Sequence, residues 1–333
     1  MYFTFFEKVK SNEIDFCIST VGYDNLVVLD SFLKEYCDKI GMPFIGQSTE
    51  CAVICNNKWI TKSILNSNSI PTLDGHLIHN STELKSFLKN AKGIYICKPL
   101  CEWSGKGQFI LNTKIFRNES ISHLNYPFII EDFITAIEIS VDIFTHNSNH
   151  VIYPPVYKGI TSVETRHALN RLRFCPYNWS KEIEDKIINY AKRVAIAVQS
   201  TGWLDIDMLL VDDNLYVLEV NSRFSGTTRM ISMVSKIDPY EITVKAALGE
   251  QIDNMIINRT NGISFEVPFY QNIQTIQKDH IFVYYSSTPH LWLGKITAKV
   301  DQKKLPDDIK KLLIEGGITE YIKDIETFLE NYL

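Results

Sequence analysis

Asp205, Asp207, Glu219 and Asn221 supply three carboxylates and an amide from two adjoining segments. The turn Asp212-Asp213-Asn214 between them predicts an antiparallel hairpin from Trp203 to Asn221, with strand partners symmetric about Asp213. Side chains alternate along strands, so positions 205, 207, 219 and 221 share one face. Ile206, Met208, Leu210, Tyr216, Leu218 and Val220 share the other, which reads as core. Like charges directly opposite one another, with side chains about 5 Å apart, destabilise an antiparallel pair. A cluster this dense predicts a compensating cation. Hard carboxylate and amide oxygens suit Mg²⁺, which takes few protein ligands and completes its octahedron with water and phosphate. The hairpin therefore reads as a metal-nucleotide site, with a solvated acidic edge as the alternative.

Upstream, Gly93-Ile-Tyr-Ile-Cys-Lys98-Pro reads as a short apolar strand ending in lysine. The small, flexible stretch Ser104-Gly105-Lys106-Gly107 and a second strand, Gln108 to Leu111, follow it. Glycines there allow close approach of backbone amides to phosphoryl oxygens, and Lys98 adds a point charge. The pattern is neither a Walker motif nor a dinucleotide fingerprint. Phe128-Ile-Ile-Glu131-Asp-Phe-Ile reads as a buried strand leading into Glu138-Ile-Ser-Val-Asp142-Ile-Phe, where acids alternate with apolar residues.

From about Asn57 to Glu250, this order of lysine strand, glycine loop, Ile-Ile-Glu hinge, Glu-x-Ser-x-Asp strand and Asp207 with Glu219-Val-Asn221-Ser-Arg223 resembles the ATP-grasp superfamily. Leu218-Glu-Val-Asn-Ser-Arg-Phe-Ser-Gly is similar to the carbamoyl-phosphate synthetase branch. Lys98-Pro-Leu-Cys-Glu-Trp-Ser and Gly202-Trp-Leu-Asp205-Ile-Asp207 are similar to the pyrrolysine-pathway amino acid ligase, and the D-alanine:D-alanine ligases are a more distant likeness. The resemblance implies ATP and Mg²⁺, one or two ions with Mn²⁺ as a substitute, and Asp207, Glu219 and Asn221 as ligands. It places Lys58 and Lys98 on nucleotide phosphates and Ser104, Gly105, Lys106 and Gly107 in the phosphate loop. Glu131, Asp132, Phe133 and Ile134 become the adenine hinge, with backbone hydrogen bonds from 130–133, and Glu138 the acid on the ribose. Arg223 and Lys158, with Asn221, would face the acyl phosphate. Dipeptide ligases carry arginine where this chain has Asp205, which argues against a D-alanine-type site.

Such a site phosphorylates a carboxylate and lets an amine attack the resulting acyl phosphate, with no side-chain nucleophile required. The favoured reading is an ATP-dependent carboxylate-amine ligase. The alternatives are a bicarbonate-dependent carboxylase or carbamoyl-phosphate-type enzyme, a nucleotide-binding subunit that needs a partner, and a kinase that stops at phosphoryl transfer. Tyr157, next to Lys158, and Arg166, His167, Arg171 and Arg173 in the loop after it lie in a region that relatives use near the second substrate. Arg171 or Arg173 would hold an amino acid carboxylate bidentately; a basic surface loop is the alternative.

Composition fits a soluble enzyme, with 45% hydrophobic residues over 333 positions and no run approaching a transmembrane span. The N-terminus lacks the features of a signal peptide, so a cytoplasmic location is expected. Seven cysteines argue against a disulfide framework, and Cys51/Cys55 and Cys97/Cys101 lack nearby histidines for zinc; Cys101, just before the glycine loop, is a candidate to line the nucleotide pocket. A net charge of −5 with dispersed basic residues gives no support to nucleic-acid binding.

The expected fold is α/β with α+β subdomains: an ATP-grasp fold with a shortened N-terminal α/β domain (1–56), the nucleotide-binding and catalytic domain (57–250) and a C-terminal α+β extension (251–333). Asp15 to Thr20, the helix Asp24 to Ile40 and the strand Phe44-Ile-Gly form half of an α/β unit. Its open sheet edge calls for a homodimer or a partner subunit supplying the other half. A helix from Ser180 to Gln199 carries a serine cap, and Pro239 to Leu248 forms another. The tail reads as strands Ile263 to Pro268, Ile281 to Ser286 and Leu291 to Val300, then helices Leu305 to Glu315 and Thr319 to Leu333, with Phe282-Val-Tyr-Tyr as core.

Overall fold

The computed structural model describes residues 14–22, 24–102, 105–116, 124–164, 170–273, 278–286 and 293–333. Near its start, β1 (Cys17–Ile18) and β2 (Phe44–Ile45) pair in parallel, and helix Asp24–Lys39 makes the crossover that a parallel pair requires. Next comes an antiparallel sheet of β3 (Gly75–Ile78), β4 (Ile94–Pro99), β5 (Phe109–Asn112) and β6 (Phe128–Asp132) in the order β3-β6-β4-β5. Period-2 alternation packs Cys97, Leu111, Phe128 and Ile130 against Leu84 of helix Ser81–Leu88. Lys98 and Glu131 are thereby turned to the opposite face.

The remaining strands form one ten-stranded sheet: β7 (Ile137–His146), β8 (Asn149–Ile152), β9 (Val156–Ile160), β10 (Arg173–Cys175), β11 (Trp203–Val211), β12 (Asn214–Asn221), β13 (Met255–Ile256), β14 (Ile263–Phe269), β15 (Ile281–Tyr285) and β16 (Gly294–Val300). The main order is β12-β11-β7-β9-β10-β14-β16-β15, with β8 and β13 branching from β7. One face is apolar throughout. Ile139, Val141, Leu204, Ile206 and Met208 pack on helix Lys181–Ala197, and Phe265, Val267, Ile296 and Ala298 pack on helices Asp307–Glu315 and Glu320–Tyr332. The other face carries the charged residues, with helices Thr228–Val234 and Pro239–Ala247 covering its apolar end around Phe144, Trp203 and Cys175.

Several expectations are corrected. The hairpin turn has two residues, Asp212 and Asp213, at φ 46° and 63°, and a bulge follows: Asp207 opposes Glu219 but Met208 opposes Val217. Leu218 is the extra residue. The bulge turns Tyr216 and Leu218 away from the core occupied by Ile206 and Met208, toward Leu73 and Leu209 on the charged side of the sheet. Arg171 and Arg173 are not in a surface loop; both are buried, and Arg173 opens β10. The tail joins the main sheet through β14 beside β10. Phe282-Val-Tyr-Tyr forms the outer strand β15, with Tyr284 and Tyr285 exposed, rather than core. Ser180 caps its helix as expected, accepting from the Ile183 N–H at 3.2 Å. No helix among the described residues is long and apolar enough to cross a membrane.

Both turn aspartates pay for a left-handed backbone that glycine adopts freely. Asp213→Gly is expected to stabilise the protein by up to about 1 kcal/mol, read as a higher urea midpoint; a lower midpoint would contradict this account of the turn.

Candidate functional site

The hairpin sets Asp205 opposite Asn221 and Asp207 opposite Glu219, as its sequence predicts. On the other flank β7 brings Asp142 opposite Asp205 and Ser140 opposite Asp207. With Glu138 on the same face of β7, five carboxylates crowd three adjacent strands. Lysines intervene. Lys158 Nζ lies 2.6 Å from Asp207 Oδ1 and 3.0 Å from Glu138 Oε1, and Lys58 Nζ lies 2.7 Å from Glu219 Oε1. Burial pushes the Asp207 carboxyl up to about 7, with Lys158 pulling it down and Asp205 and Glu138 pushing it further up. Burial opposes the Glu138 carboxylate too, yet Lys158 and Arg171 outweigh it and hold the group at about 2. Burial likewise opposes the Lys158 ammonium, but Asp207 and Glu138 raise it well above the ordinary lysine range.

Asp207, Glu219 and Asn221 offer oxygen donors from neighbouring positions, and each carboxylate already faces a cationic nitrogen. That set fits Mg²⁺. Among the described residues no group of three or more His, Cys, Asp or Glu is placed to cage a metal, so an ion held here would take most of its shell from water and phosphate. Asp205 is engaged differently, accepting from Ser140 Oγ at 2.6 Å and Asn221 Nδ2 at 3.3 Å. Asp142 is fully buried; burial first, then Asp205, pushes its carboxyl up to about 8, while Ser225 and Thr228 hydroxyls donate to Oδ2 at 2.8 and 2.9 Å.

A cavity between the two sheets is lined by Lys58, Lys62, Lys98, Glu131, Leu218 and Glu219. Helix Lys58–Ser67 starts at the Asn57 cap, whose side chain accepts from Trp59 and Ile60 N–H, so Lys58 and Lys62 emerge one turn apart toward the cleft. Cations beside an apolar leucine wall suit a nucleotide. Glu131 is not a free hinge acid: Lys62 and Lys98 bind its two oxygens at 2.7 and 2.6 Å. Lys62 was missed in the sequence, although its spacing from Lys58 is a signal. β6 lies between β3 and β4, so the backbone of Ile130 and Glu131 is spent in the sheet, and the Phe133 N–H donates to Ile94 O at 3.0 Å. Of the stretch expected to hydrogen-bond adenine, the Ile130 and Glu131 backbone and the Phe133 N–H are thus engaged within the protein. Asp132 is exposed and Ile134 half-buried at the strand's end.

Gly105 and Gly107 have φ 70° and 71°, and a Cβ on Gly107 would come within 2.9 Å of Pro99. Lys106 lies 3.6 Å from Glu102, while Ser104 falls outside the described residues, as do Arg166 and His167. Cys101 is exposed, and Cys55 rather than Cys101 lines the cavity; all seven cysteines are free.

Arg223 is held by Asp24 at the start of helix Asp24–Lys39, with Nε 2.7 Å from Oδ1, and it lies 3.9 Å from Asp205. Asp24 was not anticipated. Arg171 binds Glu138, so that acid's oxygens face Lys158 and Arg171 rather than standing free for a ribose. Arg173 lies 3.1 Å from Glu266, beside Lys295 and Arg229. These three partners were also missed; Glu266 between Phe265 and Val267, and Lys295 before Ile296, are charged residues alternating with apolar ones on strands.

The family model described as "ATP-grasp domain" matches residues 55–227. The chain is 28% identical over 274 residues to the carbamoyl phosphate synthase large chain of Clostridium botulinum (strain Loch Maree / Type A3), and 23% identical over 261 residues to that of Agathobacter rectalis. These alignments cover 79% and 75% of this chain but 25% and 24% of the relatives, so the chain spans about a quarter of the length of the curated relatives it matches. Among solved structures, the Campylobacter jejuni biotin carboxylase superposes with a TM-score of 0.77 at 17% identity, covering 98% of this chain and 82% of that one. The Thermus thermophilus N5-carboxyaminoimidazole ribonucleotide synthetase gives 0.69 at 17% identity, covering 92% and 81%.

Because Glu138 titrates at about 2 in the folded protein, below its ordinary 4.5, its stabilising contribution is present above pH 4.5 and is lost as pH falls toward 2. Glu138→Gln is expected to lower stability at pH 7 by on the order of 3 kcal/mol. In urea titrations its deficit against the wild type should shrink between pH 4.5 and 2; a deficit independent of pH would refute the ion-pair account.

Proposed function

Because the chain belongs to the ATP-grasp family, we propose that it is an ATP-dependent ligase that joins a carboxylate to an amine through an acyl phosphate, releasing ADP and phosphate. The observation that carries this reading is the cross-strand pair Asp207 and Glu219, each on a lysine, beside the cavity that Lys98 lines from the other sheet. Mg²⁺ bound by Asp207, Glu219 and Asn221 would supply charge neutralisation on the phosphates. Lys58 and Lys98 act as point charges for phosphate oxygens, and the backbone around Gly105 and Gly107 lets amides approach them. A carboxylate oxygen attacks the γ-phosphorus in line. The amine then attacks the acyl carbon and phosphate leaves, with Arg223 beside Asn221 stabilising the tetrahedral oxyanion. Lys158, tied to Asp207 and Glu138, fixes the acids rather than reacting. Positioning supplies most of the rate, since no side-chain nucleophile takes part.

The likeness to carbamoyl phosphate synthase large chains favours a second reading in which bicarbonate is the activated carboxylate. Mg²⁺-dependent ADP release, measured against pooled amino acids with and without bicarbonate and followed by mass spectrometry of the active pools, separates the two. A condensation product without bicarbonate supports the ligase, and strict bicarbonate dependence supports the second reading. Glu219→Ala should lower turnover by about 10³-fold or more with an unchanged fold by circular dichroism; full activity in that variant would sink the metal assignment.

A further inference from the structure

Lys62, Lys98 and Glu131 all line the cavity between the two sheets, and they come from three different elements. Lys98 on β4 pairs with Ile129 on β6, so Glu131, two residues on, shares its face of the small sheet and lies one diagonal step away. Lys98 Nζ is 2.6 Å from Glu131 Oε2, and Lys62 Nζ, from helix Lys58–Ser67, is 2.7 Å from Oε1. Burial opposes the Glu131 carboxylate, but Lys98 and then Lys62 outweigh it and hold the group below its ordinary range. One buried carboxylate therefore carries two ammonium groups, one on each oxygen.

The two lysines are held unequally. Lys62 Nζ also donates to the Leu73 carbonyl oxygen at 2.5 Å, so a backbone group and a carboxylate fix it together. Glu131 is the one ion-pair partner of Lys98 among the described residues. The charge of Lys98 nevertheless reaches across the cavity to the hairpin: burial opposes the Glu219 carboxylate, and Lys58, then Lys98 and Arg223, hold it below the ordinary range. Lys98 thus stands between the acid of the small sheet and the acid assigned to Mg²⁺. A phosphate that draws its ammonium competes with Glu131 for it. A buried carboxylate stripped of its cation is strongly disfavoured, but Glu131 keeps Lys62 when Lys98 turns away.

We propose that Lys62 is a positioning residue for nucleotide binding: by staying on Glu131 it releases Lys98 from that carboxylate to a nucleotide phosphate. This rests on the ATP-binding part of the reading above and is independent of which carboxylate and amine are joined. Lys62, tied to Leu73 and Glu131, does not itself touch the phosphate. The arrangement explains why an acid sits among lysines in a cavity suited to an anion. Glu131 neutralises Lys98 until a phosphate arrives, and Lys62 lets one anion replace the other without leaving a buried charge unpaired. Direct contact of Lys62 with phosphate is the competing account, and the two differ in how substitutions at Lys62 and Glu131 combine.

The test is a double-mutant cycle on the full chain, read by calorimetry as the dissociation constant of the magnesium complex of a non-hydrolysable β,γ-imido analogue of ATP. Lys62→Met should weaken binding about ten-fold or more, because Glu131 then retains Lys98. In the Glu131→Gln background no carboxylate competes for Lys98, and the same substitution should change the affinity by less than about two-fold. Should Lys62→Met not fold, Lys62→Gln, which is neutral but keeps a donor for Leu73, carries the same comparison. Equal losses in both backgrounds would overturn the positioning role in favour of direct phosphate contact, and an unchanged affinity in Lys62→Met would overturn it outright. A wild type that does not bind the analogue fells the ATP reading itself, and this inference with it.

Discussion

Five carboxylates on one face of three adjacent strands are the constraint on which this structure depends. At about 5 Å and an effective dielectric near 20, each adjacent pair of charges repels by roughly 3 kcal/mol, and burial adds the cost of desolvation. The face persists because cations arrive from separate parts of the chain: Lys58 from a helix start, Lys158 from β9, Arg171 from the segment before β10 and Arg223 from beyond β12. Asp142 meets the constraint in another way, held protonated near neutrality at about 8. Each cation fixes the position of the element that carries it, so the electrostatics of the face and the topology of the sheet are one problem.

The sheet solves it by dividing its faces. Alternation hands one side to hydrophobic packing under three helices, which supplies the stability needed to hold like charges together on the other. The bulge at Leu218 refines that division. By inserting one residue beside the cross-strand acid pair it keeps Asp207 and Glu219 opposed, while Leu218 turns toward the cleft shared with Lys98 and Glu131. The smaller sheet does the converse, burying Cys97 and Ile130 and presenting the lysines' partner acid to the same cleft.

Across the width of the large sheet the charge then passes from acid to base. Strands placed side by side by hydrogen bonding put the acidic end, from β12 to β7, and the basic end, from β9 to β16, within a few strand spacings of each other. The residues at the basic end come from β10, β14, β16 and helix Thr228–Val234, far apart in the chain.

What the sequence determined by itself is local. Symmetry about Asp213 sets Asp205 against Asn221 and Asp207 against Glu219, a register the fold reaches through a two-residue turn offset by the bulge at Leu218, and Ser180 marked its helix start because backbone geometry within a helix turn dictates its neighbours. The ordered motifs from Lys58 to Arg223 made the family legible for the same reason: each is a short run with its own geometry. The bulge escaped because Tyr216 and Leu218 are apolar and satisfy either face of a strand. Only the tertiary structure decided which charge meets which. Arg223 meets Asp24 across 199 positions and Arg173 meets Glu266 across 93. Glu131 and Glu138, legible as acids, proved to be already engaged by Lys62, Lys98, Lys158 and Arg171. Coulomb attraction carries no sequence period, so a lysine or arginine can pair with any acid that folding brings within reach, and that choice is made by the packing of strands.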